Sequence, residues 1–370
     1  MFTRFLFKTH ESIKVILAIL LSVIIITSFS SCAIKNNSEQ NHLVYYTLND
    51  KDSLSWIIEK HNKYCINSNN PSFQVEIVKF DSEQEMSTQI STEIMAGSGP
   101  DIISLSQKLP FEKLIESRSL MNIYDLLKDD NSSNAINLDD YNVNILNAGV
   151  YDNGLYIVPL FYGVDVLVST EERLKNFDIK ENNGFSLTYS NFSDVFENYF
   201  LNDEGYSFVS NELSDFLWFD YPMQLFCRFL NSYVDFENKA VYFDTDEFKD
   251  NLDVMMQMLT ISQKNNTNEL FDGLYINRSF PLMAGSYSYY QSINETPVVF
   301  RGLTKNKDVN SAHIQVGYAI NNNTQLKEQA LAFIKYTLSD EIQEIGATAS
   351  GSLSFPVNMS VYDNAKLVAG

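Results

Sequence analysis

The polar groups best placed to meet a small solute follow one apolar run. Ile94 to Leu105 reads Ile-Met-Ala-Gly-Ser-Gly-Pro-Asp-Ile-Ile-Ser-Leu, and Ser106, Gln107 and Lys108 come next. Hydroxyl, amide and ammonium groups at this spacing suit hydrogen bonding of a ligand. Material for turnover is scarce. The histidines, His10, His42, His61 and His313, stand singly, which argues against a zinc cluster or a catalytic triad. The sequence has no Gly-x-Ser-x-Gly elbow, no His-Glu-x-x-His and no phosphate-binding loop. Gly97-Ser98-Gly99 makes no dinucleotide fingerprint, because it lacks the third glycine and precedes its strand. With 47 acidic residues, carboxylate pairs are everywhere, so composition leaves a glycoside-hydrolase dyad open.

Those groups need elements to hold them. A polar helical run leads in, Gly97 to Pro100 break it, and Ile102 to Leu105 reads as a buried parallel strand with Asp101 at its entrance. Asp101 reads as a cap or turn residue. In open α/β sheets ligands lie beyond the carboxyl ends of strands, which would put Ser106, Gln107 and Lys108 at a cleft. An ordinary turn in any Rossmann-like fold gives the same pattern. Upstream, Leu43–Thr47 is a strand, Asn49 to Lys51 a loop, Leu54–Tyr64 a helix and Phe73–Phe80 a second strand. Ser82 and Glu85 form a capping box ahead of Met86, Ile90 and Ile94. That is βαβαβ, the opening of a doubly wound sheet.

Gly154 to Ser169 is an extended run broken by Pro159 and Gly163, longer than one strand needs and suited to a crossover between lobes. Ser169 and Glu172 then cap a helix. Aromatic helices fill 185 to 270, and Asp244 with Glu247 caps one bearing Phe248, Leu252, Met255 and Leu259. Pro297–Leu303 and Ile314–Ile320 are strands, the second leading back to the first lobe. A helical stripe follows at Leu326, Ala330, Phe333, Ile334 and Leu338, and Ser339 caps a helix from Asp340 to Ile345.

The chain has 370 residues, 45% hydrophobic and 20% charged, enough for two globular domains. A formal net charge of −21 argues against nucleic acid. The first 31 residues read as a signal peptide. Arg4, Lys8 and Lys14 precede the apolar Val15–Phe29, and Phe29-Ser30-Ser31-Cys32 resembles a lipoprotein cleavage site with Cys32 as the lipidated residue. An uncleaved membrane anchor is the alternative, and both place the remainder outside the cytoplasm. Residues 32–42 make a polar tether. Cys65 and Cys227 fall in different lobes and read as free buried thiols.

In order and spacing, the chain after residue 42 resembles the family-1 extracellular solute-binding proteins, the maltose-binding-like lipoproteins of ABC importers. The segments that carry this are Ala96–Ile103, Gly154–Val168, Tyr233-Val234-Asp235, Val241–Asp244, Met283–Tyr287, Gly317–Ile320, Gln329–Ile334 and Phe355-Pro356-Val357-Asn358. The resemblance implies an α/β, two-lobed periplasmic-binding-protein fold, each lobe a sheet flanked by helices, joined by a strand hinge. It divides the chain into lobe 1 at 43–162 with 313–370, and lobe 2 at 163–312. It implies a binder and no enzyme, no cofactor and no metal. The partners are a small-molecule ligand, an oligosaccharide by the same resemblance, and the permease subunits of an ABC transporter. The protein is then a monomer, lipid-anchored on the extracytoplasmic face of the membrane. In the family, helices returning to lobe 2 follow the Pro-Val-Asn segment; here the sequence runs to Gly370.

Site residues follow by matching position. The loop after the first strand offers Asn49 and Asp50, and the loop after the central strand Ser106 and Gln107. The crossover offers Tyr162 and Asp165. The second lobe offers Trp218, Tyr221, Tyr287, Tyr289 and Arg301. Sugars present hydroxyls and flat apolar faces, so planar polar groups and aromatic plates suit them. Each aromatic has core packing as its ordinary alternative. A peptide or polyamine binder and a surface glycan-binding or sensory lipoprotein remain open readings.

Overall fold

The computed structural model describes residues 42–48, 52–107, 109–128, 130–164, 166–170, 186–188, 226–227, 229–235, 238, 240–264, 275–277, 296–304, 312–348 and 354–363. Alternation in β1 (Leu43–Leu48) sends Leu43, Tyr45 and Thr47 inward to near-zero exposure. Helix α1 (Ser55–Asn67) buries Ile57, Ile58, His61 and Cys65 along one stripe. A 3-10 turn, Pro71–Phe73, with Pro71 fixing φ at its first residue, takes Phe73 out of the segment read as strand and precedes β2 (Val75–Phe80). In α2 (Glu83–Met95) the Ser82 hydroxyl accepts from the Glu85 N–H, the expected N-cap. Gly97 and Gly99 take φ of +79° and +102°, which lets the chain double back from α2 into β3 (Ile102–Ser104).

A 3-10 turn, Leu105–Gln107, ends β3, so the strand is shorter than its apolar run. Short helices α3 (Phe111–Glu116) and α4 (Ile123–Lys128), a 3-10 turn at Leu138–Asp140 and α5 (Val143–Asn147) follow. The stretch read as one crossover divides. Strands β4 (Val150–Tyr151) and β5 (Gly154–Leu155) form a small hairpin, and β6 (Val158–Val164) is followed after one residue by β7 (Val166–Thr170).

Strands β6 and β7 lie in different sheets. The larger has six strands in the order β14-β6-β13-β3-β1-β2, with β13 (Ala312–Ile320) and β14 (Phe355–Pro356) supplied by the last part of the chain. In it β1, β2 and β3 are parallel, and β13 runs against both β3 and β6. A four-stranded sheet has the order β11-β7-β12-β8, from β8 (Ser186–Thr188), β11 (Tyr275–Asn277) and β12 (Pro297–Thr304). A two-stranded piece, β9 (Val234–Asp235) with β10 (Ala240–Val241), precedes helix α6 (Asp246–Lys264). Helices α7 (Lys327–Thr337) and α8 (Asp340–Thr348) lie between β13 and β14.

Two apolar layers sandwich the large sheet. Leu43, Tyr45, Ile102, Tyr318 and Ile320 pack with Ile57, Ile58, Phe333 and Ile334. Ile103 and Ala319 pack with Met86, Ile90 and Ile94. Consecutive residues of β3 and β13 thus fall in different layers, as expected of a parallel-type sheet covered on both faces. Gly346 is where α8 meets β6: a Cβ there would stand 2.0 Å from Phe161 Cζ.

Several expected caps move. Ser169 sits inside β7, paired with Val298, and the helix it was expected to cap lies outside the described residues. The α6 cap is Thr245, whose Oγ1 accepts from the Phe248 N–H at 3.2 Å, and not Asp244. Ser339 donates its hydroxyl back to the Tyr336 carbonyl. Asp101 does serve as a turn residue, its Oδ2 accepting from the Val44 N–H at 2.8 Å. Both cysteines are free as expected, yet only Cys65 is buried; Cys227 is exposed.

Candidate functional site

The strand directions define one edge of the large sheet. The carboxyl ends of β1, β3 and β6 and the amino end of β13 share it. Both connections between the two sheets leave from this edge, through residue 165 after Val164 and through residues 305–311 before Ala312. Strand partners are kept across the change of sheet. Val164 lies opposite Ala312 in one sheet, and Val166 lies opposite Arg301 in the other. The strands on either side of residue 165 are thus paired with the strands on either side of residues 305–311, and open α/β sheets bind ligands at such carboxyl edges.

Gln107 stands at the exit of β3 with 1% of its surface exposed. Its Nε2 donates to the Tyr46 carbonyl at 2.6 Å, while its Oε1 is buried without a hydrogen-bond partner. The amide can thus still accept one hydrogen from a donor that reaches it. Ser106 lies in the same 3-10 turn. That turn lies beside β13 at Gly317, where a Cβ would come within 3.0 Å of Leu105 Cδ1.

Asp52 was not singled out in the sequence, and it organises the exit of β1. Its Oδ1 accepts from the Leu54 N–H at 3.0 Å, the Ser55 N–H at 2.9 Å and the Ser55 hydroxyl at 2.9 Å. Its Oδ2 accepts from Thr47 Oγ1 at 3.1 Å and from the Tyr45 hydroxyl. Burial and the neighbouring Asp52 carboxylate push the Tyr45 hydroxyl far above its ordinary range, so it stays a donor. The available signal was an Asp just before the first turn of α1, where a carboxylate meets unpaired N–H groups.

Tyr162, expected at the ligand, packs within the large sheet. It is 6% exposed and belongs to the core of the large sheet. Its ring lies 5.5 Å from that of Phe355, and its hydroxyl accepts from Asn142 Nδ2 at 3.3 Å. Burial raises its pKa, and the Asn142 bond works against that shift. The physical reason is β14: pairing of Phe355 with Tyr162 covers the outer edge of β6 and encloses the ring.

The register brings Arg301 to Val166, one residue past Asp165. Asn49, Asp50, Lys108, Asp165, Trp218, Tyr221, Tyr287, Tyr289 and Cys32 lie outside the described residues. Among the described residues no group of three or more metal-ligating side chains converges, and no helix is long and apolar enough to cross a membrane.

The family model for bacterial extracellular solute-binding proteins matches residues 57–369. Among curated proteins, none matches the chain. Three solved structures share the fold. An ABC substrate-binding protein of Listeria monocytogenes in complex with cycloalternan is 13% identical with a TM-score of 0.57, over 87% of this chain and 81% of that one. An ABC transporter solute-binding protein of Thermotoga lettingae bound with α-D-tagatose is 16% identical with a TM-score of 0.54, over 89% and 84%. The GacH receptor of Streptomyces glaucescens, solved unliganded and with acarbose, is 15% identical with a TM-score of 0.55, over 89% and 83%.

Proposed function

The chain belongs to the bacterial extracellular solute-binding protein family, and we propose that its solute is a carbohydrate of oligosaccharide size, handed to the permease of an ABC importer. In this reading the lobes are 43–162 with 313–370, and 163–312. They close on the ligand about the β6–β7 and β12–β13 connections. The observation that carries it is that both connections to the second sheet leave from one sheet edge, with the buried, half-used amide of Gln107 at that edge. The cycloalternan, tagatose and acarbose complexes of the three similar structures favour a sugar.

The ligand contacts in this proposal are Asn49, Asp50, Ser106, Gln107, Asp165 and Arg301 for hydroxyls. Trp218, Tyr221, Tyr287 and Tyr289 serve as stacking plates. Cys32 carries the lipid, and the ligand leaves chemically unchanged. A thermal-shift screen over oligosaccharides, amines and peptides tests this. A true ligand at 100 times its dissociation constant adds about 2.7 kcal/mol to stability. Stabilisation by peptides or polyamines with none by sugars overturns the carbohydrate reading, and hydrolysis of the bound sugar overturns the binder.

A further inference from the structure

We infer that Asp130 to Asn134 is a cation-binding loop whose cation is supplied by the chain itself, as the ammonium of Lys335. Emptied of that ammonium, the loop takes a free cation of similar size, an alkali ion of the K⁺ class or a small primary alkylammonium. Three side-chain oxygens from alternate residues converge on one nitrogen. Lys335 Nζ lies 2.6 Å from Asp130 Oδ2, 2.6 Å from Ser132 Oγ and 3.2 Å from Asn134 Oδ1. The ammonium donates to Ser132 Oγ and to Asn134 Oδ1, and meets Asp130 Oδ2 as an ion pair without a hydrogen bond.

The oxygens are also held by contacts within the loop. Asp130 Oδ1 accepts from the Ser132 N–H at 3.1 Å and from its hydroxyl at 2.7 Å. Ser132 Oγ and Asn134 Oδ1 stand 2.8 Å apart. A hydroxyl has one hydrogen, and once the carboxylate has it, two lone-pair oxygens face each other. A cation between them relieves that contact. The pair is sheltered, with side-chain exposures of 6% for Asp130 and 15% for Lys335. Lys335 and Ser132 together hold the Asp130 carboxyl down to about 2.

The donor set selects the cation. One carboxylate with two neutral oxygens suits a monovalent ion. Lys335 sits in the last turn of α7, where the helix dipole also favours a positive charge. Using its own lysine, the loop between α4 and the Leu138–Asp140 turn is tied to α7 whatever ions the extracytoplasmic fluid holds.

Melting of the full chain in choline, potassium and ethylammonium chlorides at equal ionic strength tests this. The native chain should be indifferent to the exchange. Lys335→Ala should melt lower in choline and recover saturably in K⁺ or ethylammonium. At ten times its dissociation constant the cation raises the folding constant about elevenfold. Adding Asp130→Asn to Lys335→Ala should abolish the recovery. Where Lys335→Ala does not fold in choline, Lys335→Met keeps the stem packing and takes its place, with K⁺ as probe. Recovery no better than in choline makes the contact an ordinary ion pair and overturns the inference.

Discussion

Gln107 donates its Nε2–H to the carbonyl of Tyr46 across 2.6 Å, tying the exit of β3 to the exit of β1. The two strands are in register only at Tyr45 and Ile102, so the side chain takes up a carbonyl where β3 gives way to a 3-10 turn. The same residue thus supports the sheet edge while its Oε1 is buried without a hydrogen-bond partner.

Gln107→Leu should therefore act twice. Leaving the buried carbonyl unpaired costs about 1–3 kcal/mol of unliganded stability. Loss of Oε1 should also weaken ligand binding, measured by calorimetry at a temperature where the variant is fully folded. A lower melting point with unchanged affinity would remove Gln107 from the site and leave it as support for β1.

His61 makes stability depend on pH. It is 1% exposed, with Phe333 and Tyr336 edge-on at 5.1 and 4.9 Å and Cys65 Sγ 3.6 Å from Nε2. Burial holds its pKa down to about 4, against an ordinary 6.5, partly offset by Asn62. As pH falls through 6.5 the unfolded chain takes a proton that the folded chain refuses. The contribution is full above about 6.5 and is lost progressively down to about 4, amounting to about 3 kcal/mol. Denaturant titrations at steps between pH 7 and 4 read this directly, and His61→Gln should flatten the profile in that window.

Much of this fold is written in periodicity and caps. Leu43–Thr47, Ile314–Ile320 and the Leu326–Leu338 stripe read correctly because alternation and helical spacing are local signals. The change of sheet near Asp165 was visible as an extended run too long for one strand. Other features were hidden because distant residues decide them. Pairing of Phe355 with Tyr162 spans about half of the chain and encloses the ring of a site candidate. Asp52 was passed over because its role needs Tyr45 and Thr47 folded back onto it. Ser169 looked like a cap because Ser begins many helices, and a strand partner at Val298 overrode that preference.

Gly346 tests the packing that hides behind the crossover strand. A methyl at this position would stand 2.0 Å from Cζ and 2.4 Å from Cε1 of Phe161, a ring 2% exposed. Gly346→Ala gains helix propensity yet forces α8 off β6. It should cost at least about 1–3 kcal/mol, as overpacking does. Pairing it with Phe161→Leu should recover part of that loss, and strict additivity in the double variant would contradict the contact.

Cys32→Ala tests the anchor. A lipidated Cys32 predicts that this variant accumulates as unprocessed precursor without acyl label. Normal size and labelling in the variant would overturn lipidation at Cys32.

Tyr162 separates core from site most sharply. Its ring is enclosed by Phe355, and its hydroxyl meets Asn142 at a long 3.3 Å. Truncating a buried aromatic costs about 3–5 kcal/mol, so Tyr162→Ala should lower the unliganded melting point steeply. Tyr162→Phe keeps the ring and loses one weak bond. Asn142 retains its own task there, since its Oδ1 accepts the Ile145 N–H at the start of α5. Stability should then fall by about 1 kcal/mol or less, with ligand affinity unchanged. A tenfold or greater loss of affinity in Tyr162→Phe, at near-native melting temperature, would return the hydroxyl to the ligand site and show that β14 parts from β6 when the lobes close.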